Sequence, residues 1–179
     1  MNTVKTIWFG AVLLIALWVP CLSQTWATSI EKLAYAFEQL IQKEEPGWTF
    51  KRIEPVFKDE DVIIEQWSLD TGSVRVSIVP HKSPAQASEV LQNFVRIMKP
   101  QERQFDVGEE GYSWGFGGCE TVFRKDRFTV YVGAVVNVHE DPAGDERIEA
   151  EKAERKSSDQ RKLSRKFAKL VASAIEKDK

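Results

Sequence analysis

Apolar side chains in this chain switch between the helical period of 3.6 and the strand period of 2, and that alternation constrains its fold more than any motif. Ile30, Leu33, Ala34, Phe37, Leu40 and Ile41 lie on one helical stripe. Val74, Val76 and Ile78 instead alternate with Ser73, Arg75 and Ser77, the pattern of a strand with one buried and one wetter face. Helical spacing returns at Ala87, Val90, Leu91, Phe94 and Met98, and again at Leu163, Phe167, Leu170, Val171, Ala174 and Ile175.

Local signals set the boundaries. Thr28 with Glu31 three residues on forms a capping box for the first helix, which should stop at Glu44-Glu45-Pro46-Gly47. Residues 48–57, 62–69 and 73–79 then read as strands, separated by a charged turn at 58–61 and a hairpin turn at Asp70-Thr71-Gly72. Ser83, Pro84 and Gln86 announce the second helix, and Pro100 ends it. A polar connection over 101–111 leads to an aromatic strand at 112–116, then to a hairpin of 119–124 and 127–138 turning at Lys125-Asp126. The predicted fold is α+β, a six-stranded antiparallel sheet with amphipathic helices packed on one face. Its two halves of three strands plus a helix read as pseudo-repeats, with Gly47-Trp48-Thr49-Phe50 answering Gly111-Tyr112-Ser113-Trp114.

Residues 1–27 have the form of a secretory signal peptide: Lys5, the 13-residue apolar run from Ile7 to Val19, Pro20, and small residues at a cleavage point. A membrane-spanning helix needs about 20 residues, so cleavage is expected rather than anchoring. Thr25 and Ala27 suit cleavage after Ala27, and Cys21 and Ser23 suit the alternative after Ser23. Val19 and Pro20 ahead of Cys21 do not make a lipobox. The mature chain, 28–179, is the size of one domain, with residues 145–157 a charged linker or solvated helix and 158–177 a C-terminal amphipathic helix. The expected destination is the periplasm or the exterior.

Charge narrows the partners. Residues 28–144 carry 13 Lys+Arg against 19 Asp+Glu, whereas residues 145–179 carry 11 against 8. An acidic body cannot displace counterions from a phosphate backbone, so nucleic acid is not an expected partner. Only Cys119 remains after the leader, which excludes an intramolecular disulfide.

No residue set converges on a reaction. Cys119 opens a predicted strand rather than preceding a helix, and no spacing rule links it to His81 or His139. The acidic stretch from His139 to Glu146 lacks the pattern of a calcium loop, and one Cys with two His falls short of a zinc site. Gly115, Gly117 and Gly118 fail the dinucleotide fingerprint because Glu120 stands where its third glycine belongs. No catalytic residue, metal or cofactor is therefore expected. The candidate ligand site is an aromatic cleft of Trp48, Trp67, Tyr112, Trp114 and Phe116, suited to a sugar or an apolar ligand. The expected function is non-catalytic binding of a protein or small ligand in the cell envelope. The rival readings are a thiol enzyme using Cys119 and a membrane-surface protein using the basic last helix. Oligomeric state is not legible.

Overall fold

The computed structural model describes residues 22–55, 61–100, 102–115, 118–137 and 146–177. The elements run α1 (Leu22–Glu44), β1 (Thr49–Ile53), β2 (Ile63–Leu69), β3 (Gly72–Pro80), α2 (Pro84–Met98), β4 (Glu102–Gln104), β5 (Glu110–Trp114), β6 (Glu120–Lys125), β7 (Phe128–Val136) and α3 (Glu146–Lys177). The fold is α+β with one antiparallel sheet and three helices. The sheet has seven strands, in the order β1-β2-β3-β7-β6-β5-β4, where six were expected. The extra strand is β4, whose sequence Glu-Arg-Gln has no strand pattern. It exists because its backbone pairs with β5, Arg103 opposite Tyr112.

Long-range pairing joins the two meanders. β3 lies antiparallel to β7 with Val76 opposite Val132, which places β1-β2-β3 and β7-β6-β5 side by side. The strands thus follow an approximate two-fold axis along the sheet normal. The helices do not, because such an axis keeps each face to itself and α2 and α3 lie on opposite faces.

That division of the helices corrects the one-face expectation. On the core face, Leu33, Phe37 and Ile41 of α1 and Phe167, Ala168, Val171, Ala174 and Ile175 of α3 form one cluster with Val74, Val76, Ile78, Val130 and Val132. Trp67 sits fully buried at its centre, with Phe37 and Phe167 edge-on at 5.6 and 6.2 Å and Phe50 stacked at 4.7 Å. α2 packs on the outer face, where Phe94 meets Trp114 and Tyr131 edge-on at 5.1 and 5.6 Å. Tyr131 alternates with Val130 and Val132, so its ring must point away from the core.

The helix boundaries show which local signals held. Ser83 caps α2 as expected: its Oγ accepts from the Gln86 N–H, and Lys99 closes the other end in the left-handed region at φ 47°. Thr28 does not start α1, which runs from Leu22 through it, and Glu31 pairs with Arg52 on β1. α3 is one continuous helix from Glu146, and along it residues 150–156 of the charged stretch are mostly exposed. Ser164, buried midway along α3, lies 2.9 Å from both the Val132 carbonyl oxygen and Thr121 Oγ1, which pins the helix to the sheet. Gly72 is required by close approach, since a Cβ there would stand 2.5 Å from the Val135 carbonyl oxygen.

Candidate functional site

α2 covers only half of the outer face. Beneath it, Val122 on β6 and Thr129 on β7 are fully buried, as are Ala87 and Leu91 of the helix itself. Ile64, Gln66, Ser73, Ser77 and Val79 on the same face of β2 and β3 are only half-buried, and Ser68 and Arg75 are exposed. Among the described residues, a short amphipathic helix of 15 residues screens the β5–β7 side and leaves the β1–β3 side bare. The flank of α2 therefore meets the bare strands in a step.

The lower end of that step holds a cavity of about 520 Å³, lined by Asp61, Val62, Val79, Pro80, His81, Lys82 and Gln86. Its wall is apolar at Val62, Val79 and Pro80, and polar groups stand around it, the combination that orients a small ligand. His81 is anchored twice: its backbone N–H donates to the Arg127 carbonyl at 2.8 Å, and its Nε2 lies 2.9 Å from Thr129 Oγ1. Burial lowers the His81 pKa, so the ring is neutral at neutral pH. Asp61 and Lys82 supply charges of both signs at the rim.

From Val79 the bare floor continues along β3 through Ser77, Arg75 and Ser73, because alternate residues share a face. Cross-strand pairing then sets one row over six strands, Lys51–Gln66–Arg75–Gly133–Glu120–Trp114. The neighbouring row is Ile53–Ile64–Ser77–Tyr131–Val122–Tyr112–Arg103. Gln66, Ser73, Arg75 and Ser77 make no side-chain hydrogen bond or ion pair among the described residues. Burial raises the pKa values of Glu120 and Tyr131, which favours their neutral, hydrogen-bonding forms.

The five aromatic residues singled out from the sequence do not line one cleft. Trp48 and Trp67 belong to the core face, where Trp48 meets Phe167 edge-on at 5.0 Å and is 6% exposed. Tyr112 and Trp114 stand on the outer face, with the whole sheet between the two pairs. Phe116 lies outside the described residues. Strand alternation causes the separation: Trp67 has the parity of Glu65, which faces the core, and Tyr112 and Trp114 have the opposite parity to buried Gly111 and Ser113. Tyr112 is held by Glu110, to which its hydroxyl donates at 2.7 Å, and Gln92 of α2 donates to the same carboxylate. Phe94 and Tyr131 complete this aromatic group; the sequence marks Phe94 only as part of a helical stripe and Tyr131 only as a position within the 127–138 strand. Arg75 was equally unmarked, since a charge in a wet strand position is commonplace. Gly133 could have been noticed as the one side-chain gap in a strong β-branched and aromatic strand.

The other chemically suggestive groups have structural explanations. Cys119 is a free, half-buried thiol whose pKa is raised by burial and by the charge of Glu120, the reverse of an activated nucleophile. His81 is engaged with Thr129, and His139 lies outside the described residues, as does the acidic loop at 138–145. On α3, Lys166 pairs with Glu45, and Arg165 and Lys169 converge on Asp106, holding its carboxyl below the usual range. These cations face acidic groups of the body while the apolar side of α3 is occupied by the sheet. Among the described residues, no helix is long and apolar enough to cross a membrane, and no cluster of three or more His, Cys, Asp or Glu could hold a metal ion.

A polar cluster on the core face belongs to α1 docking. Arg52 donates to Glu31 and Glu38 of α1, and its Nε lies 3.8 Å from Oε1 of Glu65. Glu65 is 1% exposed and accepts one hydrogen bond from Trp67 Nε1, at 2.9 Å. Burial and the nearby Glu38 push its pKa up to about 7, outweighing the Trp67 hydrogen bond and Arg52.

The chain matches no known protein-family model, no curated protein and no solved structure.

Proposed function

We propose that this chain is an exported, non-catalytic binding module of the cell envelope, taking a small ligand or a segment of a partner protein along the step between α2 and the bare strands. The observation that carries this reading is the half-covered outer face, which ends in a cavity of about 520 Å³ with an apolar wall and convergent polar groups. Export is supported by the charged and apolar pattern of residues 1–27. A thiol enzyme would need a lowered Cys119 pKa, and a surface-bound α3 would need a free apolar side, so neither rival draws comparable support.

The test is a native mass spectrum of the protein recovered from the exported fraction without reductant. The expected result is a chain beginning at Thr28 with an added mass that vanishes on denaturation and is missing from Val79→Glu, which puts a charge into the cavity wall. Recovery of unprocessed chain only from the cytosol overturns the export reading. An added mass retained by Val79→Glu moves the ligand away from this cavity.

A further inference from the structure

A carboxyl buried beneath a helix costs stability unless donors surround it, and Glu65 on β2 has too few. Its side chain is 1% exposed, its Oε2 accepts from Trp67 Nε1 at 2.9 Å, and its Oε1 receives no donor. Three carboxyls stand here in a gradient from solvent to core: Glu31 at 58% exposed, Glu38 at 13% and Glu65 at 1%. Arg52 serves all three. It donates from Nη1 to Glu31 and from Nη2 to Glu38, the latter at 2.8 Å, while its Nε stands 3.8 Å from Glu65 Oε1, beyond hydrogen-bond reach. On β3 the residue opposite Glu65 is the apolar Val76, so among the described residues the charged groups acting on Glu65 are Glu38 and Arg52.

Protonation decides how Arg52 is shared. With a proton on Glu65 that oxygen becomes a donor, Glu38 is placed to accept from it, and Arg52 is left to Glu31 and Glu38. Without the proton, three carboxylates face one guanidinium, and the one with no water around it gains most from drawing the cation inward. A shift of about 1 Å brings Nε into hydrogen-bond range of Glu65. The contact that yields is Arg52–Glu31, because an ion pair between two largely exposed side chains is weak. Among the described residues of α1, those beside Glu31 are also held least by packing. Ile30 and Ala34 meet Ile63 in a small cluster of their own, whereas Leu33, Phe37 and Ile41 belong to the main core.

We propose that Arg52, Glu31, Glu38 and Glu65 form a proton-operated latch on α1: protonated Glu65 lets Arg52 clasp Glu31, and ionised Glu65 draws Arg52 inward, loosening the turn around Ile30 and uncovering Ile63. The helix from Leu33 to Ile41 stays docked in both states. Glu65 keeps its proton in the folded state up to about pH 7, so the latch is closed below that and opens as pH rises through it. The test is amide hydrogen exchange of the protein as recovered from cells, at about pH 5.5 and about pH 8, read as protection factors corrected for intrinsic rates. Amides of residues 32–35 bond to the carbonyls of residues 28–31, the turn that loosens. They should lose about tenfold or more in protection at the higher pH, where Glu65 stands about one unit above its folded pKa, and residues 37–44 should keep theirs. In Glu65→Gln, which retains an acceptor for Trp67, protection at 32–35 should be equal at the two pH values. Glu31→Gln removes a charge outside the core and should bring protection at 32–35 at the lower pH down toward the wild-type value at the higher. Wild-type protection independent of pH, an equal loss in Glu65→Gln, or a loss spread evenly along α1 overturns the proposal. So does a Glu31→Gln protein as protected as wild type at the lower pH.

Discussion

Replacing Glu65 by glutamine should stabilise this protein at pH 8 and change it little at pH 5. Glu65 is 1% exposed beneath α1, faced by Glu31 and Glu38 from that helix, by Arg52 from β1 and by Trp67 from its own strand. Arg52 directs its hydrogen bonds to Glu31 and Glu38 and reaches Glu65 only at 3.8 Å, so its attraction does not offset burial and the Glu38 charge. The carboxyl pKa rises from 4.5 to about 7. At about 1.36 kcal/mol per unit, ionising Glu65 in the folded state costs on the order of 3 kcal/mol. The sign follows from proton binding: the folded state holds this proton more tightly than the unfolded one. Its contribution is therefore complete below about pH 4.5 and lost as pH rises through about 7.

Glutamine preserves the acceptor for Trp67 Nε1–H and cannot ionise. Urea unfolding of wild type and Glu65→Gln at pH 5 and pH 8 isolates the effect, because other titrating groups cancel in the difference. That cancellation matters. The lowered pKa of His81 makes stability rise with pH through the histidine range, opposing Glu65, and Glu120 acts in the same direction as Glu65. The expected gap between the two proteins widens by up to about 3 kcal/mol from pH 5 to pH 8, in favour of the variant. A gap independent of pH, or a variant less stable at pH 8, would refute the reasoning and make Glu65 an ionised partner of Arg52.

Three further outcomes follow from the packing. Truncation after Gly144 should abolish the cooperative transition in near-ultraviolet circular dichroism, because Phe167, Val171 and Ile175 are within the core; a folded truncated body would show that α3 is accessory. Gly72→Ala should cost about 1–3 kcal/mol in urea unfolding, since its Cβ meets the Val135 carbonyl at 2.5 Å, in contrast to the tolerance expected at Gly133. Cys119 should react slowly with a disulfide reagent at pH 8 and faster as pH passes 9, with Cys119→Ser leaving the melting temperature almost unchanged; rapid reaction at pH 7 would point to an activated thiolate.

The three helices, the alternation of β3 and the cap of α2 are properties of short stretches, readable because a stripe or a capping side chain involves residues within a few positions of each other. Thr28 marks the limit of such reading. The helix it signals runs through it from Leu22, and Glu31 pairs with Arg52, 21 residues away. β4 was invisible because a three-residue edge strand owes its existence to the backbone of β5 and not to its own side chains. Of the candidate site, Tyr112 and Trp114 were legible as aromatics in a strand. Their separation from Trp48 and Trp67, and their union with Phe94, Tyr131 and Arg75, were not. Periodicity says that a strand or helix has two sides but not which neighbour each side will meet. That choice came from the antiparallel pairing of β3 with β7 and from the placement of α2 alone on the outer face, where one helix is too narrow to cover seven strands.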